Sequence, residues 1–400
     1  MEVNPRKSRA DIDQNKILID KKGGKEMSEE LLAEIKQEIS ELPRVEKETA
    51  EEYFASRWQL KEAVDEKLAA REDIDELTGY NPRQMMKENH RNHVQFMSNV
   101  FFFNDYRMLV DTVPWVYNTY RQKGFSYEYF PIELEAWKQA VKTIMGCSRA
   151  ASIVQVYDWM QESHDKFVSV CRDISPDDFK SEYEGQDEYD SFLEALLQGE
   201  DRRAQRIADD YIETKEDFGK FAGRVIQPVM YTIGHLWGQD DITVAEEHRA
   251  TSITGRVLSS LYAKFLPDNY LHGTAAVSAV ANEHHELGAR IVADFLEFDG
   301  WDVSFLGINT PQEELIEFLQ QEKPFLLGLS VCMPYNLNGL QEVIAMLRNI
   351  PALEDMKILV GGKALNDFPY LVEKIDADAY AKDGHTALEI ADRWWHSRND

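Results

Sequence analysis

The sequence predicts a multidomain α and α/β protein in which helices come first and a five-stranded parallel sheet comes last. Three observations predict it. Four hundred residues exceed what one core usually organises, so two to four structural units are expected. From about residue 28 to residue 266, an acidic stretch apart, apolar side chains recur at helical spacing, and residues 191–266 show no strand-like alternation. After Leu271 the pattern changes, and short β-rich runs alternate with helix-length segments to the C-terminus.

Taken in order, residues 1–80 read as a charged N-terminal segment. It is expected to be mobile over 1–28 and helical beyond, where Leu31, Leu32, Ile35, Ile39 and Leu42 are spaced along an amphipathic face. Residues 81–180 read as an aromatic-rich helical domain broken between Gly124 and Pro131. The acidic stretch Ser175–Asp190 reads as a linker. Residues 186–270 have the size of a four-helix bundle, with turn signals near Gly199, Glu216–Asp217 and Gly238–Asp241. In residues 271–400 the runs AAVSAVA, DVSFLGI, FLLGLSV, KILVGG and ADAYA are strand candidates. The segments between them (284–300, 311–323, 337–350 and 365–375) are long enough for helices. Such alternation gives a Rossmann-like domain, in which ligands sit at the carboxyl ends of the strands.

Composition excludes several function classes. Forty-four basic against 72 acidic residues leave a formal charge of −28, a field that repels phosphate backbones, so nucleic acid is not an expected partner. Cys147, Cys171 and Cys332 form no CxxC pair, which argues against a disulfide framework or zinc ribbon and for a reducing compartment. No apolar run approaches the length of a membrane span, and the N-terminus lacks the apolar core of a secretory signal. A soluble, cytoplasmic protein is expected.

The chemistry concentrates in three predicted strand-end loops. The first reads Asn282-Glu283-His284-His285-Glu286-Leu287-Gly288, the second Ser330-Val331-Cys332, and the third Gly361-Gly362. The zinc-protease pattern His-Glu-x-x-His is absent, because no second histidine follows His285-Glu286. Gly361-Gly362 alone would be an ordinary turn and Ser330 an ordinary strand hydroxyl. In this order and on these loops, Glu283-x-His285-x-x-Gly288, Ser330-Val331-Cys332 and Gly361-Gly362 resemble the Asp-x-His-x-x-Gly, Ser-x-Leu and Gly-Gly motifs of methionine-synthase-type cobalamin domains. Glu283 stands in place of Asp and Cys332 in place of Leu. The resemblance implies cobalamin as cofactor and His285 as the lower axial ligand to cobalt, its tautomer fixed by Glu283. It further implies that Gly288 leaves room beside the corrinoid, that Ser330 and Val331 border the displaced nucleotide tail, and that Gly361 and Gly362 clear a path for it.

Upstream, Trp237 is followed after nine residues by Glu247-His248. Taken singly, Trp237 would be a core aromatic and Glu247-His248 an exposed helix pair. Their spacing resembles the cap of the adenosylcobalamin-dependent photoreceptor family, where the tryptophan covers the adenosyl group. The resemblance spans about residues 186–395 and implies a light-responsive, non-enzymatic sensor, a homo-oligomer that changes with light and signals to a downstream protein. That family places a cobalt-capturing histidine directly after the tryptophan. Here Gly238 occupies the position, leaving water, His235 or His248 for the vacated site. The alternative is a corrinoid protein that shuttles methyl groups for a partner methyltransferase.

The aromatic domain is compatible with a globin-like or phycobiliprotein-like fold, and some cobalamin photoreceptors of this type hold a bilin. Tyr106, Arg107, Trp115, Tyr117, Arg121 and Tyr129 are therefore candidate contacts for biliverdin, the two arginines pairing with its propionates. His90 or His93 is a candidate haem ligand, and a cofactor-free scaffold is the third option.

Overall fold

The computed structural model describes residue 28 and residues 30–173 and 181–398. The mobility expected of residues 1–27 and the first part of the expected linker lie outside the described residues. The chain divides into two compact units, one holding residues 1–94 and 100–178, the other residues 95–99 and 179–400.

The first unit is helical. Its main elements are α1 (Lys47–Ala69), α2 (Arg83–Phe103), α3 (Arg107–Gln122), α4 (Tyr129–Met145), α5 (Ala151–Glu162) and α6 (His164–Asp173). The charged N-terminal segment is not separate from the aromatic region. Tyr53, Leu60, Val64 and Leu68 of α1 are buried, and α1 packs along α4. A stripe that apolar cannot stay in water, so it joins the nearest core.

That core contains a chain of polar groups. His90 is fully buried, with Nδ1 2.6 Å from Asp65 and Nε2 2.8 Å from the Tyr129 hydroxyl. Buried Glu133 accepts from the Asn89 amide and the Trp137 indole at 3.3 and 3.1 Å. The Tyr157 hydroxyl lies 2.8 Å from that of Tyr53 and 3.1 Å from His93 Nε2. Burial, with His90 close by, drives the His93 pKa down to about 3, and burial raises that of Glu133. Polar groups persist in such a place only when partnered.

The second unit begins with α7 (Asp187–Gln198), α8 (Asp201–Tyr211), α9 (Lys215–Phe221), α10 (Gln227–Gly238) and α11 (Val244–Phe265). A π turn over Ala222–Ile226 joins α9 to α10, so the bundle has four rods. Pro228 cannot donate to the carbonyl four residues back, and the helix widens beside it. The turn expected at Glu216–Asp217 is instead the capped start of α9, where Thr214 and Asp217 exchange hydrogen bonds. The bundle also starts inside the expected linker, because Tyr189 is drawn into its core with Phe192, Leu196, Phe218 and Ile253.

The rest of this unit is the expected doubly wound domain. It runs β1 (Thr274–Ala279), α12 (Leu287–Asp299), β2 (Asp302–Gly307), α13 (Gln312–Glu322), β3 (Leu326–Ser330), α14 (Leu337–Arg348), β4 (Lys357–Gly361), α15 (Lys363–Asp367), β5 (Ala379–Ala381) and α16 (Gly384–Ser397). All pairings are parallel, in the order β2-β1-β3-β4-β5. The order reverses between β1 and β3, which places a ligand crevice outside their carboxyl ends. The single helix expected over 365–375 is replaced by α15 and a 3-10 segment over Pro369–Lys374, because Pro369 cannot continue an α-helix.

Candidate functional site

Chain direction brings the three predicted loops to one edge. The loop after β1 holds Glu283 and His285, the loop after β3 holds Val331–Asn336, and the loop after β4 holds Gly362. Glu283 is fully buried and ties the first two together. Its Oε1 accepts from the backbone of His284 and His285 at 3.0 and 3.2 Å and lies 2.5 Å from His285 Nδ1. Its Oε2 accepts from the Cys332 and Met333 amides, both at 2.9 Å, and from the Asn336 side chain at 3.1 Å.

Burial alone would raise the Glu283 pKa. The His285 hydrogen bond and charge, with the Met333 amide and Asn336, outweigh it and hold the carboxyl down at about 2. His285 is pushed the opposite way, to about 10, by the hydrogen bonds its ring donates to Cys332 and Glu283, against the cost of burial. Its side chain stays half exposed at the start of α12, with one ring nitrogen committed to Glu283. Once its outer ring nitrogen gives up its proton, this imidazole has what a metal ligand needs: a fixed ring, a fixed tautomer and an accessible face.

The glycines divide by role. A Cβ added at Gly288 would meet nothing within 4 Å, so that position does leave open space. Gly361 and Gly362 answer a different demand from the one read in the sequence. A Cβ on Gly361 would lie 2.6 Å from the Ala381 carbonyl oxygen. On Gly362, whose φ is +103°, it would lie 2.3 Å from that of Val331. The pair lets three backbones pack, whatever else passes nearby. Ser330 is half-buried at the end of β3, and its carbonyl accepts from Val280 N at 3.1 Å.

The bundle reaches the same edge. Arg290 on α12 donates to the Gly255 carbonyl (3.3 Å) and to Ser259 (2.9 Å) on α11, and farther along both helices Tyr262 meets Phe298. The two helices therefore run in the same direction, and the first turns of α11 project past the carboxyl edge where α12 begins. Thr254 contacts Met230 at 3.5 Å, which fixes the register of α11 against α10. Trp237 and Glu247 each lie seven residues from that contact, toward the interhelical turn, and so stand at one level. Glu247 accepts from Thr251 at 2.9 Å and faces exposed His248 at 3.5 Å. Lys363, just after Gly362, sits 5.2 Å from the Tyr231 ring of α10.

Sequence reasoning missed Asn336, which also donates to the Asn282 carbonyl at 3.2 Å, and Asn309, which accepts from Asn282 N at 2.9 Å. Asn309 has a φ of +53°, and its place after a strand, ahead of Thr310-Pro311, was the available signal.

The six candidate bilin contacts have different surroundings. Tyr106 donates to the Pro43 carbonyl at 2.5 Å, and Arg107 grips Asp105 through two bonds. Tyr117 stacks on Phe130 at 3.8 Å between ring centres, Arg121 lies near Tyr127, and Trp115 is exposed. Tyr129 is sealed in the core with His90. Both ring nitrogens of His90 have partners, and His93 is stacked on Trp137 with Nε2 on Tyr157. These rings and imidazoles serve the packing of their own unit.

Two family models match the second unit back to back. Residues 273–391 match the B12 binding domain, and residues 188–262 match a second B12 binding domain model. This half of the chain is a cobalamin-binding module. Dimethylamine corrinoid protein 1 of Methanosarcina mazei is 29% identical over 119 residues, 30% of this chain and 54% of the relative. The match thus spans about half the length of that relative. The trimethylamine corrinoid protein of Methanosarcina barkeri is 22% identical over 198 residues, 49% of this chain and 90% of the relative. The chain also aligns with the solved M. barkeri monomethylamine corrinoid protein with a TM-score of 0.45 and 18% identity, over 52% of this chain and 97% of that one.

Proposed function

We propose that the chain is a corrinoid carrier that exchanges a methyl group with a partner methyltransferase, the carrier holding the cofactor and the partner doing the catalysis. The observation that carries this reading is the 198-residue match to a trimethylamine corrinoid protein, a match longer than the sheet domain alone. The light-sensing function suggested by Trp237 draws no support from these relatives, which are named as corrinoid proteins of methylamine systems. Gly238, in place of a histidine, weighs the same way.

A bound corrinoid supplies a cobalt centre that accepts and releases the methyl group. In this proposal His285 would hold the cobalt through Nε2, with Glu283 keeping the Nδ1 proton. Gly288, Ser330, Val331, Gly361 and Gly362 border the nucleotide tail. Trp237, Glu247 and His248, at the end of the bundle, would border the cofactor on its other side.

The test loads full-length protein with methylcobalamin and, separately, with adenosylcobalamin in the dark. The carrier reading expects stable uptake of methylcobalamin, and methyl loss to a thiol acceptor only when a methyltransferase is added. A strong preference for adenosylcobalamin that Trp237→Ala abolishes, with a light-driven change in sedimentation, would restore the sensor reading instead.

A further inference from the structure

The opposite, amino edge of the sheet carries a cluster that corrinoid binding does not use. His272 lies two residues before β1, Asp299 ends α12, and Asp392 lies on α16. One potential ligand atom from each lies within 4.8 Å of the other two. His272 Nε2 is 3.2 Å from Asp299 Oδ2, and the Trp301 indole donates to Asp392 Oδ1 at 3.4 Å, orienting that carboxylate. A fourth donor stands close: the His396 ring centre is 6.2 Å from that of His272. Asp392 and His396 are four residues apart on one helix, so they share a face.

The polar inventory of the cluster is incomplete: His272 Nδ1 is buried without a hydrogen-bond partner. Lys215 acts on Asp299 from nearby, but its ammonium group is bonded to the Phe298 carbonyl.

We propose that His272, Asp299 and Asp392, with His396 turning in as fourth ligand, form a site for a zinc-type divalent transition ion. Two imidazoles and two carboxylates are a donor set zinc accepts in tetrahedral geometry. The ligand atoms, already within 4.8 Å of one another, would draw closer to share one ion. The ion joins the entry to β1, the end of α12 and the C-terminal helix, so it staples the sheet's amino edge and plays no part in methyl transfer.

The structure supplies its own reporter. Trp301 and Trp395 lie with ring centres 5.5 and 6.2 Å from that of His272, within range of quenching by a paramagnetic ion. The experiment titrates chelator-treated, corrinoid-free full-length protein with Co2+, following tryptophan emission and visible absorption, then displaces Co2+ with Zn2+. Expected is one Co2+ per chain with tetrahedral-type absorption, kept in His285→Ala and weakened by at least about tenfold in Asp392→Asn and His272→Gln. Cobalamin uptake by those two variants serves as the folding control. Should either misfold, His396→Gln, on the exposed last turn, takes its place and is expected to weaken binding. Absence of binding to the wild type, or loss only in His285→Ala, overturns the proposal, because the ion would then have no site here or would occupy the corrinoid ligand.

Discussion

Replacing Glu283 by glutamine keeps the shape of the side chain and removes its charge. The carboxylate accepts hydrogen bonds from His284, His285, Cys332, Met333 and Asn336. An amide presents one acceptor and one donor, so one end of the new side chain would face N–H groups with its own N–H groups. The Glu283 pKa of about 2 sets the scale. Against an ordinary value of ~4.3, at ~1.36 kcal/mol per pH unit, the ionised form contributes about 3 kcal/mol. For a domain of this size that corresponds to roughly 10 °C in Tm. Because the folded pKa is depressed, this contribution is fully present above about pH 4.3 and is lost as pH falls toward about 2. Thermal unfolding of wild type and Glu283→Gln, followed by circular dichroism, should differ by roughly 10 °C at pH 7 and converge below about pH 3. Cobalamin titration of the same samples should show affinity down by about 10- to 100-fold, because the His285 ring loses its orienting partner. Coincident unfolding curves and equal affinity would refute the view that this carboxylate holds the two loops together and aims the imidazole.

His285→Ala should retain the fold while losing histidine ligation. The check is electron paramagnetic resonance of the Co(II) form, where splitting from a protein nitrogen should disappear. Gly362→Ala forces a Cβ toward the Val331 carbonyl at positive φ and should cost about 2–4 kcal/mol, read as a lower urea midpoint. Asp294, buried on α12 with Oδ2 unpartnered, has its pKa raised to about 7 by burial and nearby Glu297, against the pull of Arg290. A carboxyl with a raised folded pKa binds its proton more tightly in the folded state, so stability falls as pH rises from about 4 to 7. Asp294→Asn should remove this dependence. Its Tm advantage over wild type should grow between pH 5 and pH 8, and a constant offset would count against it.

Much of the fold was legible because its signals are local. Five β-rich runs separated by helix-length segments can pack only as a doubly wound sheet, and β1, buried from Ala275 to Ala279, needs cover on both faces. The His285 loop was legible for the same reason: Glu283, His285 and Gly288 lie within six residues of sequence. Asn336 was not, because it reaches Glu283 across 53 positions and only the β1–β3 pairing joins them. In the aromatic domain the sequence left bilin, haem and plain scaffold open, because ring partners there are distant in sequence, as with Tyr53 and Tyr157 or His90 and Tyr129.

By itself, then, the sequence determined the order of the elements and the one loop whose ligand chemistry is contiguous, since propensity, periodicity and short spacing act within a few residues. Tertiary structure decided everything that depends on distant residues meeting. It gave His90 partners 25 and 39 positions away, gave Gly361 and Gly362 a backbone-packing role, and gathered His272, Asp299 and Asp392 on one edge from three separate elements. Such meetings depend on which faces are buried against each other, and burial is a property of the whole packed chain.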